Sequence, residues 1–350
     1  MNRTCFGVTK AGNNAKRYML ENASGMELEV SDFGALILAV RVPDKYGRKR
    51  DVALGYGSLE EYYDISCGFG AYVGRNANRI GGACVTLEGV LYQLEANDNE
   101  KNNLHSGSDR SYCKFYQAVT GENEEGSYVQ LDRLSPHMEQ GFPGNLKQKI
   151  RYTLTKQNEI VIDYEMESDM TTVVNPTNHS YFNLSGHGSG DILGHELEIY
   201  SEAFLPTDEA LIPTGEIASV EGTPMDFRHK KTVGRDIDAD YLPLQIAGGY
   251  DHNYVFANDR VIKKVAKLFS PESGIFMNVF SDLCGMQVYS GNFLKGEKGK
   301  EGAIYNKRNG ICFETQFYPN SCNDTNFPSC VLDAGKVFRS RTIYQFGTEV

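Results

Sequence analysis

Apolar and polar residues alternate with period two over several stretches of the chain. Ile150, Tyr152 and Leu154 alternate with Lys149, Arg151 and Thr153, and further on Ile160, Ile162, Tyr164 and Met166 alternate with Asp163, Glu165 and Glu167. Successive side chains of a strand point to opposite faces, so this pattern predicts two strands with one buried and one wet face. The polar break Lys156-Gln157-Asn158-Glu159 between them makes the pair a hairpin. Comparable patterns predict strands over 26–42, 128–134, 196–200, 254–256, 285–289 and 337–346. Helical periodicity is nearly absent. The best helix candidate is one short turn from Ser58, with Glu61 at capping-box spacing ahead of Tyr62 and Tyr63. Parallel strands need crossovers of a dozen or more residues, and the chain supplies almost no helix to make them. The expectation is an all-β fold, a large antiparallel β-sandwich or barrel with very little helix. No Pro/Ser-rich linker, internal repeat or shift of composition divides the chain, which predicts a single domain over 1–350.

Composition sharpens this picture. The 36 glycines, 21 tyrosines and 18 phenylalanines, with no tryptophan, fit many strands joined by tight turns. Lys plus Arg number 35 against 46 Asp plus Glu, a net charge of −11, the wrong sign for a surface that attracts nucleic acid. No apolar run is long enough for a membrane helix. A neutral small molecule is therefore the expected partner. The eight cysteines are scattered without a CxxC pair, which predicts reduced, mostly buried thiols. The segment Met1 to Gly7 lacks the apolar core of a secretory signal, making the cytoplasm the expected compartment.

Two glycine clusters, Gly68-x-Gly70-x-x-x-Gly74 and Gly186-x-Gly188-x-Gly190, lack the spacing, preceding strand and following helix of a dinucleotide fingerprint. No cofactor is expected. The segment TNHSYFNLSG from Thr177, if extended, places Thr177, His179, Tyr181 and Asn183 on one face. A polar face with an aromatic wall suits a sugar, whose hydroxyls need hydrogen-bond partners and whose ring carbons need an apolar surface. Glu314, flanked by Phe313 and Phe317, is either a desolvated general base or a buried carboxylate paired with an arginine. His179, His105, Asp251 and Glu314 could be drawn together as a metal set, but none has short-range ligand spacing, so no metal is expected. Cys312 is expected to pack rather than react. Taken alone, these residues name no reaction.

In the same order, the clusters resemble the aldose 1-epimerase (galactose mutarotase) family. The resemblance rests on VGRNANRI from Val73, NNLHSG from Asn102, NPTNHSYFNLSG from Asn175, TPMDFR from Thr223, GYDHNYVF from Gly249, MQVYSGNF from Met286, FETQFYPNS from Phe313 and NFPS from Asn326. It implies a β-supersandwich fold and interconversion of the α and β anomers of free aldohexoses such as galactose and glucose. By the same resemblance Glu314 would be the base at the C1 hydroxyl and His179 the acid at the ring oxygen. Asn78, Arg79, His105, Tyr181, Asp251 and Gln287 would bind the sugar, with Arg79 and His105 stabilising charge at the anomeric oxygen. Arg75, His252, Gln316 and Asn183 are expected to shape loops instead. The sequence departs from the family at Ser106, where a glycine is common. An epimerase for a hexose 6-phosphate and a sugar-binding protein without catalysis are the alternatives; the first would need added cations, and the second has no use for an acid-base pair. Activity is expected near neutral pH.

Overall fold

The computed structural model describes residues 2–63 and 67–349. Three antiparallel sheets dominate it. The large sheet has nine strands, and its centre is built from Gly126–Ser135, Leu146–Thr155, Glu159–Ser168, Val337–Thr348 and Ile275–Ser281, neighbours in that order. The site sheet has six strands in the order Tyr181–Phe182, Ile311–Gln316, Gly285–Tyr289, Asp251–Val255, Ala203–Phe204 and Ala218–Ser219. The third has five, running consecutively from Asn2–Val8 to Lys49–Asp51.

The predicted hairpin forms with Ile150 opposite Tyr164, Tyr152 opposite Ile162 and Leu154 opposite Ile160, all six buried. Asn158 makes the reversal at φ +61°, a left-handed position that asparagine tolerates. The apolar faces of the large and site sheets meet in one core. Tyr344 from the large sheet donates its hydroxyl to the Phe313 carbonyl of the site sheet at 2.8 Å, within a cluster that includes Tyr152, Ile162, Met286, Val288 and Phe313. Each such fully buried side chain contributes about 1.5–3 kcal/mol, so the pairing of these faces fixes which side of the site sheet looks away from the core.

The expected stretch 26–42 is two strands, Glu27–Ser31 and Ile37–Pro43, because Gly34 and Ala35 turn at φ +73° and +48°. The turn after Ser58 is a short 3-10 helix, Glu60–Tyr62, with the Glu61 carboxylate accepting from the Ser58 amide at 2.9 Å. The α-helix of the described residues lies elsewhere, at Leu242–Ala247, opened by Pro243 and closed by Gly248 at φ +67°. Proline at a helix start and glycine just past its end were signals in the sequence. No helix among the described residues is long and apolar enough to cross a membrane.

Candidate active site

Strand alternation places Cys312 and Glu314 on the face of the site sheet turned from the core, while Phe313 and Thr315 face inward. Register carries this face across the sheet. Tyr181, Cys312, Tyr289 and Asp251 stand in one row, and Glu314, Gln287 and Asn253 in the next. Loops roof this face and enclose a cavity of about 220 Å³, lined among others by Asn78, Arg79, His105, His179, Tyr181, Asp251 and Glu314. Pockets for drug-sized ligands run to ~300–1,000 Å³, so this one suits a smaller molecule.

His179 arrives from a different strand pair, Thr177–His179 against Ala71–Val73. The segment then breaks at Ser180, whose amide and hydroxyl donate to Asn178 Oδ1 at 3.1 and 2.7 Å, and Tyr181 joins the site sheet. The polar face expected over 177–183 is therefore divided. His179 and Tyr181 enter the cavity, whereas Thr177 donates to the Thr315 carbonyl and Asn183 to those of Gly190 and Asn309. Nε2 of His179 lies 3.6 Å from Oε1 of Glu314, and its Nδ1 lies 3.7 Å from Sγ of Cys312.

Burial governs the electrostatics of this pair. It pushes Glu314 well above the ordinary carboxylate range, assisted by Asp251 and opposed by Arg79. It lowers His179 to about 4. Both shifts disfavour charge, so burial favours a protonated Glu314 beside a neutral His179. Asp251 is likewise raised by burial, against the pull of Arg79 and a hydrogen bond from Gln287.

The loop residues are held by backbone geometry. Asn78 and His105 both take left-handed conformations, at φ +61° and +53°. The Asn78 amide donates to His105 Nδ1 at 3.1 Å, which leaves the ring proton on Nε2. Arg79 Nε donates to Asp98 at 3.0 Å. Ser106, at φ +67°, replaces a conformationally free glycine with a compensating hydroxyl that accepts from the Asn76 amide and donates to its carbonyl, at 2.9 and 3.1 Å. Arg75 points the other way. It is fully buried and donates to the carbonyls of Ser135, Pro136, Pro143 and Gly144, binding loops together behind the site. Gln287 is one layer back from the cavity wall, donating to Asp251 Oδ1 at 2.7 Å.

Residues 16–345 match the model of the aldose 1-epimerase family. The galactose mutarotase of Rattus norvegicus is 38% identical over 345 residues, 98% of each chain, and the aldose 1-epimerase of Escherichia coli is 36% identical over 333 residues, 94% of each. The chain belongs to the aldose 1-epimerase family. A crystal structure of galactose 1-epimerase from Lactobacillus acidophilus superimposes with a TM-score of 0.87 at 26% identity, covering 100% of this chain and 99% of that one. The expected β-supersandwich is thus the observed fold.

Within this epimerase fold, ligand atoms of His105, His179 and Glu314 lie within 4.8 Å of one another. The Asn78 amide argues against their use as a metal set, because a His105 that accepts at Nδ1 presents a donor, not a lone pair, at Nε2. Several cavity residues were not picked out from the sequence: Tyr112, Tyr289, Phe293 and Leu294. Phe293 is 53% exposed and stacks on Tyr289 with centroids 6.0 Å apart. Both lie inside the MQVYSGNF motif, and an aromatic pair four residues apart across a Ser-Gly-Asn turn was the available signal.

Proposed function

We propose that Glu314 is the base at the C1 hydroxyl and His179 the acid at the ring oxygen of a bound aldose. The chain is an aldose 1-epimerase, an isomerase acting on carbohydrates. The observation that carries the assignment of roles is the 3.6 Å separation of Nε2 of His179 from Oε1 of Glu314 on the cavity wall. O1 and the ring oxygen are bonded to the same carbon, so the groups serving them must stand side by side. Glycosidase carboxyls, by contrast, flank a bond at ~5–9.5 Å from each other.

In ring opening, the Glu314 carboxylate removes the O1 proton and the C1–O5 bond breaks. Its electron pair goes to O5, which takes the proton of His179, and C1=O1 forms. Rotation about C1–C2 and the reverse transfers close the other anomer. The empty pair resists charge, and the sugar offsets this by offering a hydroxyl donor to Glu314 and an ether acceptor to His179. Asn78, Arg79, His105, Tyr181 and Asp251 are the proposed sugar contacts, with Arg79 and the Nε2–H of His105 facing the anomeric oxygen as its charge develops. Arg79 is the one Lys or Arg among the described cavity residues and is already matched by Asp98, which favours a free aldose over a hexose 6-phosphate.

The direct test is polarimetry of freshly dissolved α-D-galactose and α-D-glucose. The expected result is faster approach to an unchanged endpoint for at least one of them. No acceleration of either sugar would overturn the assignment.

A further inference from the structure

Behind the cavity wall the site sheet carries a row of buried polar side chains the mechanism does not use. Gln287 is the direct cross-strand partner of Glu314, and the two are 4% and 2% exposed. Asp251 fixes the orientation of the Gln287 amide. Gln287 Nε2 donates to Asp251 Oδ1 at 2.7 Å, and an amide whose nitrogen faces Asp251 turns its carbonyl away from it. That carbonyl oxygen, Oε1, is buried with no hydrogen-bond partner among the described residues, and so is Oε2 of Glu314. Directly paired residues on one face of an antiparallel sheet hold their Cβ atoms about 4.5–5.5 Å apart, within reach for two side chains of this length. Two buried acceptors on facing residues are both satisfied by a single proton between them.

We infer that Gln287 is a positioning residue for the base: its carbonyl accepts the hydrogen bond of Oε2–H when Glu314 is protonated, with Asp251 holding the amide in the required orientation. This goes beyond a sugar-binding role for Gln287 and rests on the assignment of Glu314 as the base. A carbonyl acceptor stabilises the protonated carboxyl, so Gln287 raises the proton affinity of Glu314 in the same direction as burial does. Among the described residues, the other titratable groups around Glu314 are His179, His105, Arg79 with its partner Asp98, Asp251, Cys312 and Tyr181 along the sheet, and Tyr344 from the large sheet. Replacing Gln287 also removes the hydrogen bond it donates to Asp251, and the carboxyl band of Glu314, which reports that group's own hydrogen bond, separates the two effects.

The experiment is Gln287→Met, which keeps the length of the side chain and removes the acceptor. The pH profile of kcat/KM should lose its alkaline limb about one pH unit earlier, a tenfold fall in proton affinity of the size one hydrogen bond supplies. Infrared difference spectra should show the Glu314 carboxyl C=O stretch at higher frequency than in the parent, the band being identified by its disappearance in Glu314→Gln. Should the Met variant fail to fold, Gln287→Asn draws the carbonyl back by one methylene and gives the same two shifts. An unmoved alkaline limb and an unmoved band, with only KM raised, would overturn the inference and leave Gln287 as a support for Asp251. Full turnover in Glu314→Gln would instead overturn the assignment of the base itself.

Discussion

On the outer face of the large sheet, Lys149, Glu165 and Arg339 stand side by side in one cross-strand row, with Lys149 and Arg339 contacting the Glu165 carboxylate at 2.7 and 2.9 Å. On the outer face of the site sheet, Glu314 stands in a similar row beside Gln287 and Asn253, and among the described residues no Lys or Arg forms an ion pair with it, Arg79 acting only from a distance. Alternation of apolar and polar positions produced both rows. Glu165 is pulled below the ordinary carboxylate range by its hydrogen bonds to Lys149 and Arg339, whereas Glu314 is pushed well above it by burial. The difference lies in what covers each face. Solvent and opposite charges reach Glu165 and make it an inert anion. Loops roof Glu314, and a carboxyl that resists ionisation is one that can carry a proton to and from a substrate.

The largest break in this comparison is Glu314→Gln. Turnover in a polarimetric assay should fall by at least ~10²–10⁴-fold, the contribution of a positioned acid-base group, while sugar binding measured by calorimetry persists. His179→Asn should fall by a similar factor. In the parent enzyme, kcat/KM should trace a bell set by the pair. Its acid limb appears as pH falls toward about 4, where His179 takes a second proton and Glu314 can no longer act as a base. Its alkaline limb appears above the raised Glu314 value, where the pair loses its last proton. A rate independent of pH across both limbs would remove the pair from the mechanism. Glu165→Gln should leave turnover unchanged.

The neighbour of Glu314 sharpens the contrast between faces. Phe313 is fully buried in the core between the two sheets. Phe313→Ala should cost about 3–5 kcal/mol of stability by denaturant unfolding, through lost transfer energy and the cavity it leaves. At low denaturant the folded fraction should retain turnover, because the backbone of Ile311–Gln316 is held on both sides by its neighbours.

A smaller effect separates burial from site chemistry. His195 lies outside the cavity, accepts from the Leu184 amide at 3.0 Å, and is lowered by burial to about 4, the same value as His179. The shift at His179 is therefore a property of burial, not of its catalytic neighbours. Because the folded value of His195 lies below the unfolded one, the unfolded chain binds the extra proton between about pH 6.5 and 4, and stability falls as pH falls through that window. His195→Gln should flatten this fall by about 1.4 kcal/mol per pH unit. An unchanged slope in the variant would mean that His195 titrates alike in both states.

Legibility in the sequence followed the same division. The hairpin of Leu146–Thr155 and Glu159–Ser168 was plain because one face is wet and the other dry. Glu314 was conspicuous because a charge interrupts an apolar strand. Seven of the eight site residues expected from the family motifs line one cavity, all but Gln287, although their contacts depend on sheet order and not on spacing along the chain. Gln287 could not be placed behind Asp251 without the cross-strand register. The tautomer of His105 depends on a backbone amide from a loop 27 residues away, which side-chain patterns do not encode. The helix Leu242–Ala247 escaped because six residues show too little periodicity, even with Pro243 and Gly248 marking its ends.

The smallest effect expected is on the wet row itself. Lys149 and Glu165 have side chains 40% and 36% exposed, so their 2.7 Å contact is screened by water and salt. A double-mutant cycle of Lys149→Ala and Glu165→Ala should give a coupling of about 0.2–1 kcal/mol in unfolding experiments, shrinking further in high salt. Arg339 remains beside Glu165 when Lys149 is removed, which lowers the measured coupling of either pair taken alone. Turnover should not change in any member of the cycle. A coupling of several kcal/mol, or a loss of activity from this exposed pair, would mean that the large sheet's charges act on the site at a distance and that cover alone does not separate the two glutamates.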